Sequence, residues 1–391
     1  MCELHKTAGI FCLLVLISVI VLIMWDPMSA SLLDADKELE DECTTTEPAV
    51  NYQPTISNPS DTPSDLGAVP PYLIYSATAS YLDMQQLLNF SRCQFKNCVG
   101  RFGSPFKDMS NAAIILFQFN YVKDFPEFAS DIRGQQYWIV YGYESPGFTG
   151  NHWRSTLDGR FNGTVTYRSS STVFSPYGWT VRRNTSTGLH VKPPTANKTK
   201  GAFAYVSNCK SIGYNRLEIM KALKRYVDVD IFGSCTHHKS PCSRMDFECE
   251  AKLHSQYRFY LSFENSMCSE YITEKFWSRL ASPSMFVPVA LGGLSVEEYS
   301  RVAPPRSFIH AYNFTSIEEL GKYLKHLTED DTAYNRYHEW RSEYRVDDDS
   351  FNMCDLCKLA NEKPRLSAIQ DVSSWWNSNC NKRIEFKAKG S

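Results

Sequence analysis

A chain of 391 residues with 43% hydrophobic side chains is long enough for two domains with substantial cores, and it is neither a disordered nor a fibrous sequence. Its formal net charge of −2 excludes a general electrostatic attraction to nucleic acid. An anionic ligand would have to be met by a few placed cations.

Residues 1–7 read as a short cytoplasmic tail, and residues 8–25, AGIFCLLVLISVIVLIMW, carry no charge. That run is just long enough to cross ~30 Å of hydrocarbon as a helix. A cleaved signal peptide is the alternative, but the run exceeds a usual h-region and DPMSA is a poor cleavage site, so a signal anchor is expected. With Lys6 on the short end kept inside, the positive-inside rule predicts a single-pass type II protein whose bulk is luminal. Five N-x-S/T sequons, at Asn89, Asn162, Asn184, Asn197 and Asn313, agree with that placement. So do the eleven cysteines that follow the apolar run, a number suited to an oxidising compartment. The odd count leaves at least one thiol free or paired between chains.

Residues 26–70 are rich in Asp, Glu, Thr, Ser and Pro and cannot bury enough apolar surface to fold, so they read as a disordered stem. Then YLIYSA (72–77), AAIILFQF (112–119) and QYWIVYGYES (136–145) read as strands separated by helical or loop material. The polar stretch RRNTSTGLHVKPPTANKTKG (182–201) reads as a linker, and a boundary is placed there, giving a first domain over 71–190 and a second over 191–365. In the second, AFAYVSN, VDVDIFGS, YRFYLSFEN and MFVPVALGG alternate with the helical RLEIMKALKRY and YITEKFWSRLAS, and residues 366–391 form a tail. Such alternation predicts βαβ units and parallel sheets, whose ligands sit beyond the carboxyl ends of the strands. Ser207, Asn208 and the FEN triplet at 263–265 fall at such ends.

The stretch FENSMCSEYITEK (263–275) is the densest in candidate chemistry. Read as the start of a helix, Tyr271, Glu274 and Lys275 stand at i, i+3 and i+4 and share a face. The N–H groups and dipole of a helix start favour an anion there. A nucleoside diphosphate fits: ammonium and phenol for phosphate oxygens, carboxylate for ribose hydroxyls. A plain surface helix with a charge pair and a capping residue would have the same composition.

SFENSMCSEYITEKFW, together with AYVSN and CDLC, resembles the donor motif FENS-x4-YITEKLW of the α-1,3/4-fucosyltransferases, glycosyltransferase family 10. The likeness runs from about Tyr72 to Cys357, and YRSSSTVFSPYG extends it into the first domain. It implies an α/β fold of GT-B type, two Rossmann-like domains facing across a cleft, here preceded by one transmembrane helix and a stem. GDP-fucose would lie on the second domain and the acceptor sugar on the first. The resemblance places Asn265, Tyr271 and Lys275 at the diphosphate and fucose, Glu274 at the ribose and Arg216 at the phosphates, with Ser207 and Asn208 as further candidates. It gives the base role to Glu144 of YGYESPGF, which could equally be a loop hydrogen-bond acceptor.

The chemistry agrees with that division. GDP is a leaving group that needs charge stabilisation more than protonation, so one carboxylate suffices, a base for the attacking hydroxyl, and the product is inverted. The expected activity is transfer of fucose to the 3-hydroxyl of a GlcNAc in glycoprotein glycans, core or Lewis-type antenna, by a Golgi membrane enzyme. The partners are then GDP-fucose, a GlcNAc-containing acceptor and the membrane, with no nucleic acid and no required cofactor; a divalent metal would at most stimulate. Two departures from relatives fall in the acceptor half: FQFN (117–120) where an HHRE-like string is common, and Tyr167–Thr172 where YRSDSD is common. They imply altered acceptor specificity. A luminal glycan- or nucleotide-sugar-binding protein with a disabled acceptor site is the alternative.

CDLC (354–357) lacks a second pair at zinc spacing, and the resemblance suggests disulfides from Cys354 and Cys357 to Cys93 and Cys98, with connectivity open. Cys235, Cys242 and Cys249, beside His237 and His238, could bind metal; one disulfide plus a free thiol is expected instead. Asp228 and Asp230 imitate a manganese pair, yet alternation sends both to one face of a strand away from the core, so no metal site is predicted. Asp347–Asp349 reads as a solvated loop.

Overall fold

The computed structural model describes residues 72–76, 90, 91, 93–102, 109, 111–119, 136–149, 158–184, 194–243, 246–347, 354–364, 366–378 and 380. The expected anchor, the stem, Cys43, Asn89, Asp348 and Asp349 lie outside these residues. Among the described residues no helix is long and apolar enough to cross a membrane.

The first half forms β1 (Tyr72–Ser76), β2 (Cys98–Phe102), β3 (Ile114–Gln118), β4 (Tyr137–Gly142), β5 (Gly163–Thr166) and β6 (Val173–Phe174). These make a sheet of order β2-β1-β3-β4-β5-β6 in which every neighbouring pair is parallel. After β7 (Trp179–Arg182), the second half forms β8 (Lys200–Tyr205), β9 (Val229–Phe232), β10 (Tyr257–Phe263), β11 (Val287–Leu291) and β12 (Ile309–His310), again all parallel, in the order β9-β8-β10-β11-β12. Each sheet therefore runs second, first, third, fourth, fifth, with a sixth strand added at the edge of the first sheet, the doubly wound order whose reversal opens a crevice at the carboxyl ends. All seven residues of β10 are buried, as a central strand covered on both faces requires.

In chain order the α-helices among the described residues are α1 (Arg216–Leu223), α2 (Phe247–His254), α3 (Glu274–Ala281), α4 (Val296–Ser300), α5 (Ile317–Glu329), α6 (Asp331–Arg336), α7 (Cys354–Glu362) and α8 (Val372–Asn377). β13 (Tyr344–Asp347) pairs antiparallel with β7, so Asp347 ends a strand and is not loop. Asp230 accepts from Tyr257 Oη at 2.6 Å and Lys200 Nζ at 3.0 Å, a packed ion pair in the sheet.

The C-terminal segment departs from the expected partition. Although α7 was assigned to the second domain, it packs on β1, with Leu356, Cys357, Leu359 and Ala360 in the core of the first sheet. Disulfides Cys93–Cys354 and Cys98–Cys357 fix it there. Of the expected tail over 366–391, the described residues 366–378 are packed: Trp376 is fully buried against Phe119 and Tyr167 of the first half. Cys380 is bonded to Cys268 of the second half.

Candidate active site

Gly142 ends β4, and Glu144 stands two residues beyond it, exposed at the carboxyl end of the first sheet. Its Oε2 accepts from Asn265 Nδ2 at 3.4 Å and from Tyr271 Oη at 3.3 Å, both supplied by the facing half. The neighbouring Ser145 shares a buried 2.6 Å hydrogen bond with Ser266. At Gly147 a Cβ would stand 2.0 Å from Ile212 Cδ1 of the second half, so the end of that side chain would have to move aside. Asn265 is 4% exposed, and its Oδ1 is buried without a partner. Tyr271 is 1% exposed, edge-on to Tyr167 at 5.0 Å; burial first, then Tyr177 and the nearby carboxylates, hold its phenol protonated and therefore a donor.

Tyr271 is not on the helix. Thr273 caps α3, which begins at Glu274, so Tyr271 lies before the first turn, buried, while the Glu274 side chain is 54% exposed. The expected shared helical face is absent because a carboxylate fixes the helix start: Glu264, 0% exposed, accepts from Thr273 N and Thr273 Oγ1 at 2.8 Å each. Lys275 Nζ lies 3.6 Å from Glu264 and donates to Glu274 at 2.9 Å and to Thr273 Oγ1 at 3.0 Å. Burial alone would lower the Lys275 pKa, but Glu264 and Glu274 outweigh it and raise the ammonium above its ordinary range. Burial also works against the Glu274 carboxylate, and Lys275 prevails, holding it low.

Arg216 opens α1 and is 2% exposed. It donates from Nη1 to Phe263 O at 3.1 Å and from Nη2 to Asn208 O at 2.6 Å, with Nε buried and unpartnered. It thus ties together the ends of β8 and β10, the switch point of the second sheet. Ser207 and Asn208 are exposed there; Ser207 O accepts from Ser234 Oγ, and Asn208 Oδ1 from Lys210 N.

Residues 70–178 match the family model described as "Fucosyltransferase, N-terminal", and residues 195–375 match "Glycosyltransferase family 10 (fucosyltransferase) C-term". The chain belongs to this fucosyltransferase family. It is 33% identical over 265 residues to an alpha-(1,3)-fucosyltransferase of Caenorhabditis elegans, covering 64% of this chain and 59% of that protein. It is 34% identical over 258 residues to alpha-(1,3)-fucosyltransferase C of Drosophila melanogaster, covering 61% and 58%. A 4-galactosyl-N-acetylglucosaminide 3-alpha-L-fucosyltransferase of Homo sapiens is 35% identical over 248 residues, covering 62% of each. The chain spans about three fifths of the length of these relatives.

For this fucosyltransferase-family chain, the cysteine cluster expected to leave a thiol resolves otherwise: Cys242 pairs with Cys249, and Cys235 pairs with Cys209. Cys209 went unnoticed because it follows a strand 26 residues upstream, and only the β8–β9 pairing brings the two together. Among the described residues no group of three His, Cys, Asp or Glu could hold a metal. Of the sequons, Asn184, Asn197 and Asn313 are exposed, whereas Asn162 accepts from Trp138 N at 3.0 Å and donates to Leu366 O at 3.5 Å. Glu264 was missed as a site residue although it sits in the motif; its full burial was the missing signal.

Proposed function

We propose that the protein transfers L-fucose from GDP-β-L-fucose to the 3-hydroxyl of N-acetylglucosamine in glycoprotein glycans, with inversion and without a cofactor. The observation that carries this reading is Glu144, presented by one sheet and held through one oxygen by Asn265 and Tyr271 of the other. The other oxygen takes the acceptor proton as the hydroxyl oxygen attacks C1 of fucose; the C1–O bond breaks and its electron pair leaves with GDP. We assign Lys275, kept cationic by its carboxylates, and Arg216 to the diphosphate, Glu274 to the ribose, and exposed Ser207 and Asn208 to the mouth of the site. Asn265 Oδ1, buried and unpartnered, is left for a sugar hydroxyl.

Acceptor and linkage rest on relatives named as alpha-(1,3)-fucosyltransferases or 4-galactosyl-N-acetylglucosaminide 3-alpha-L-fucosyltransferases; other relatives are named as 3-galactosyl-N-acetylglucosaminide 4-alpha-L-fucosyltransferases, and the 3-linkage is our choice between them. The five disulfides among the described residues support a secretory compartment, and we place the protein in the Golgi membrane as a single-pass type II protein with its catalytic part luminal. The test is GDP release by full-length protein given GDP-fucose and GlcNAc glycosides. Turnover is expected; donor affinity without turnover would make the protein a binder and overturn the reading.

A further inference from the structure

Two adjacent tryptophans of α8 are held in different ways. Trp376 stacks on Phe119 at 4.1 Å and 15°, donates from Nε1 to buried Thr149 Oγ1 at 3.0 Å, and is fully enclosed. It is a core anchor. Trp375 is only partly buried, and its Nε1 donates to Oγ of exposed Ser170 at 3.1 Å. The guanidinium of Arg168, 6% exposed, lies 4.4 Å from the Trp375 ring centroid and donates to the Trp375 carbonyl. The indole is thereby fixed in one orientation at the surface by a cation, a hydroxyl and a neighbouring ring 5.7 Å away.

Its place in the fold gives that fixation a purpose. β4 and β5 are adjacent and parallel, with Gly142 opposite Thr166. Glu144 and Arg168 each stand two residues past that pair, leaving strand ends separated by ~4.8 Å. Rings continue the link: Trp376 to Tyr167 at 5.9 Å, Tyr167 to Tyr271 at 5.0 Å, and Tyr271 Oη to Glu144 at 3.3 Å. The loop between is pinned to the facing half, since Ser169 N donates at 2.7 Å to Glu270, whose backbone is held at φ +60°.

We propose that Trp375 is a specificity-determining residue whose indole, held by Arg168 and Ser170, carries the apolar face of the sugar adjoining the N-acetylglucosamine that receives fucose. The inference rests on the reading of Glu144 as the base. Ring hydrogens of a pyranose against an aromatic face supply a contact of the size measured for aromatic pairs, about 0.5–1.5 kcal/mol, or roughly two- to twelvefold in affinity.

The experiment measures GDP release by full-length protein with three acceptors: the methyl glycoside of GlcNAc, N-acetyllactosamine and chitobiose. Trp375→Leu, which keeps an apolar contact with Trp376 but cannot stack, is expected to raise KM roughly fivefold or more for a disaccharide the wild type prefers over the monosaccharide. KM for the monosaccharide, kcat and GDP affinity should stay within about twofold, and Trp375→Phe should recover most of the loss. Equal KM increases for all acceptors, an unchanged disaccharide KM, or loss of GDP binding in Trp375→Leu would each overturn the proposal. Absence of turnover by wild type with any acceptor would instead overturn the reading beneath it.

Discussion

At the scale of single residues, the account depends on hydrogen bonds that aim rather than on groups that merely accumulate. Tyr271 donates to Glu144 from a buried site where its phenol stays protonated, so Tyr271→Phe should keep the packing and lose the aim. We expect kcat to fall about tenfold, the loss of one charge-assisted hydrogen bond; an unaltered kcat would detach Tyr271 from the base. Site occupancy by glycans offers an independent check. Peptide mapping of secretory-pathway material should find Asn184, Asn197 and Asn313 accessible to modification and Asn162 unmodified, because both ends of its amide are engaged. The motif and the strand ends singled out Glu144 and Asn265, which the structure brings within hydrogen-bond distance, and the motif alone singled out Lys275. Glu264 was not singled out, because a sequence does not display that a carboxylate is wholly buried against the residue that caps a helix nine positions on.

Among elements, the start of α3 carries most of the site's charge, and its sequence signal misled in an instructive way. Period reading placed Tyr271 on the helix, whereas Thr273 is a better cap and Glu264 accepts from its N–H and its hydroxyl, so the first turn begins later. β1, β3, β4 and β8 to β11 were legible from their apolar runs, whereas β2, β5, β6 and β12, short or without such a run, were not. α7 and α8 were assigned elsewhere because their destination is set by disulfides and by Trp376, long-range facts without local pattern. For Lys275 the sign is clear: its pKa is raised, so the ammonium persists throughout the neutral range. GDP affinity should therefore show no inflection from lysine titration between about pH 6 and 9, and Lys275→Ala should weaken it by roughly ten- to a hundredfold. Unchanged affinity in that variant would remove Lys275 from the phosphate site.

Over the whole molecule, stability has an acid limb built from buried imidazoles. His254, whose Nε2 shares a 3.2 Å hydrogen bond with Tyr205 Oη, and His310, 1% exposed, are both lowered from 6.5 to about 4, burial being the main cause. Because the folded pKa lies below the unfolded one, the unfolded chain binds more protons between these values. Stability is complete above about pH 6.5 and declines as pH falls toward 4, by on the order of 2–3 kcal/mol per residue. Thermal melts of wild type and His254→Gln at pH 7 and pH 5 should give a smaller acid decrease in Tm for the variant; identical decreases would assign the acid limb to other groups. Disulfides act at the same scale. Cys93–Cys354 and Cys98–Cys357 close spans of 261 and 259 residues and hold the end of the second half's chain on the first sheet, while Cys268–Cys380 returns it to the second.

The most direct test compares wild type with Glu144→Gln in a transfer assay that reads both released GDP and the linkage of the fucosylated product. The account predicts an inverted, 3-linked product from wild type. It predicts a Glu144→Gln protein that binds GDP normally and transfers at least about a hundredfold more slowly, the usual weight of a general base. Transfer by Glu144→Gln at the wild-type rate would contradict it.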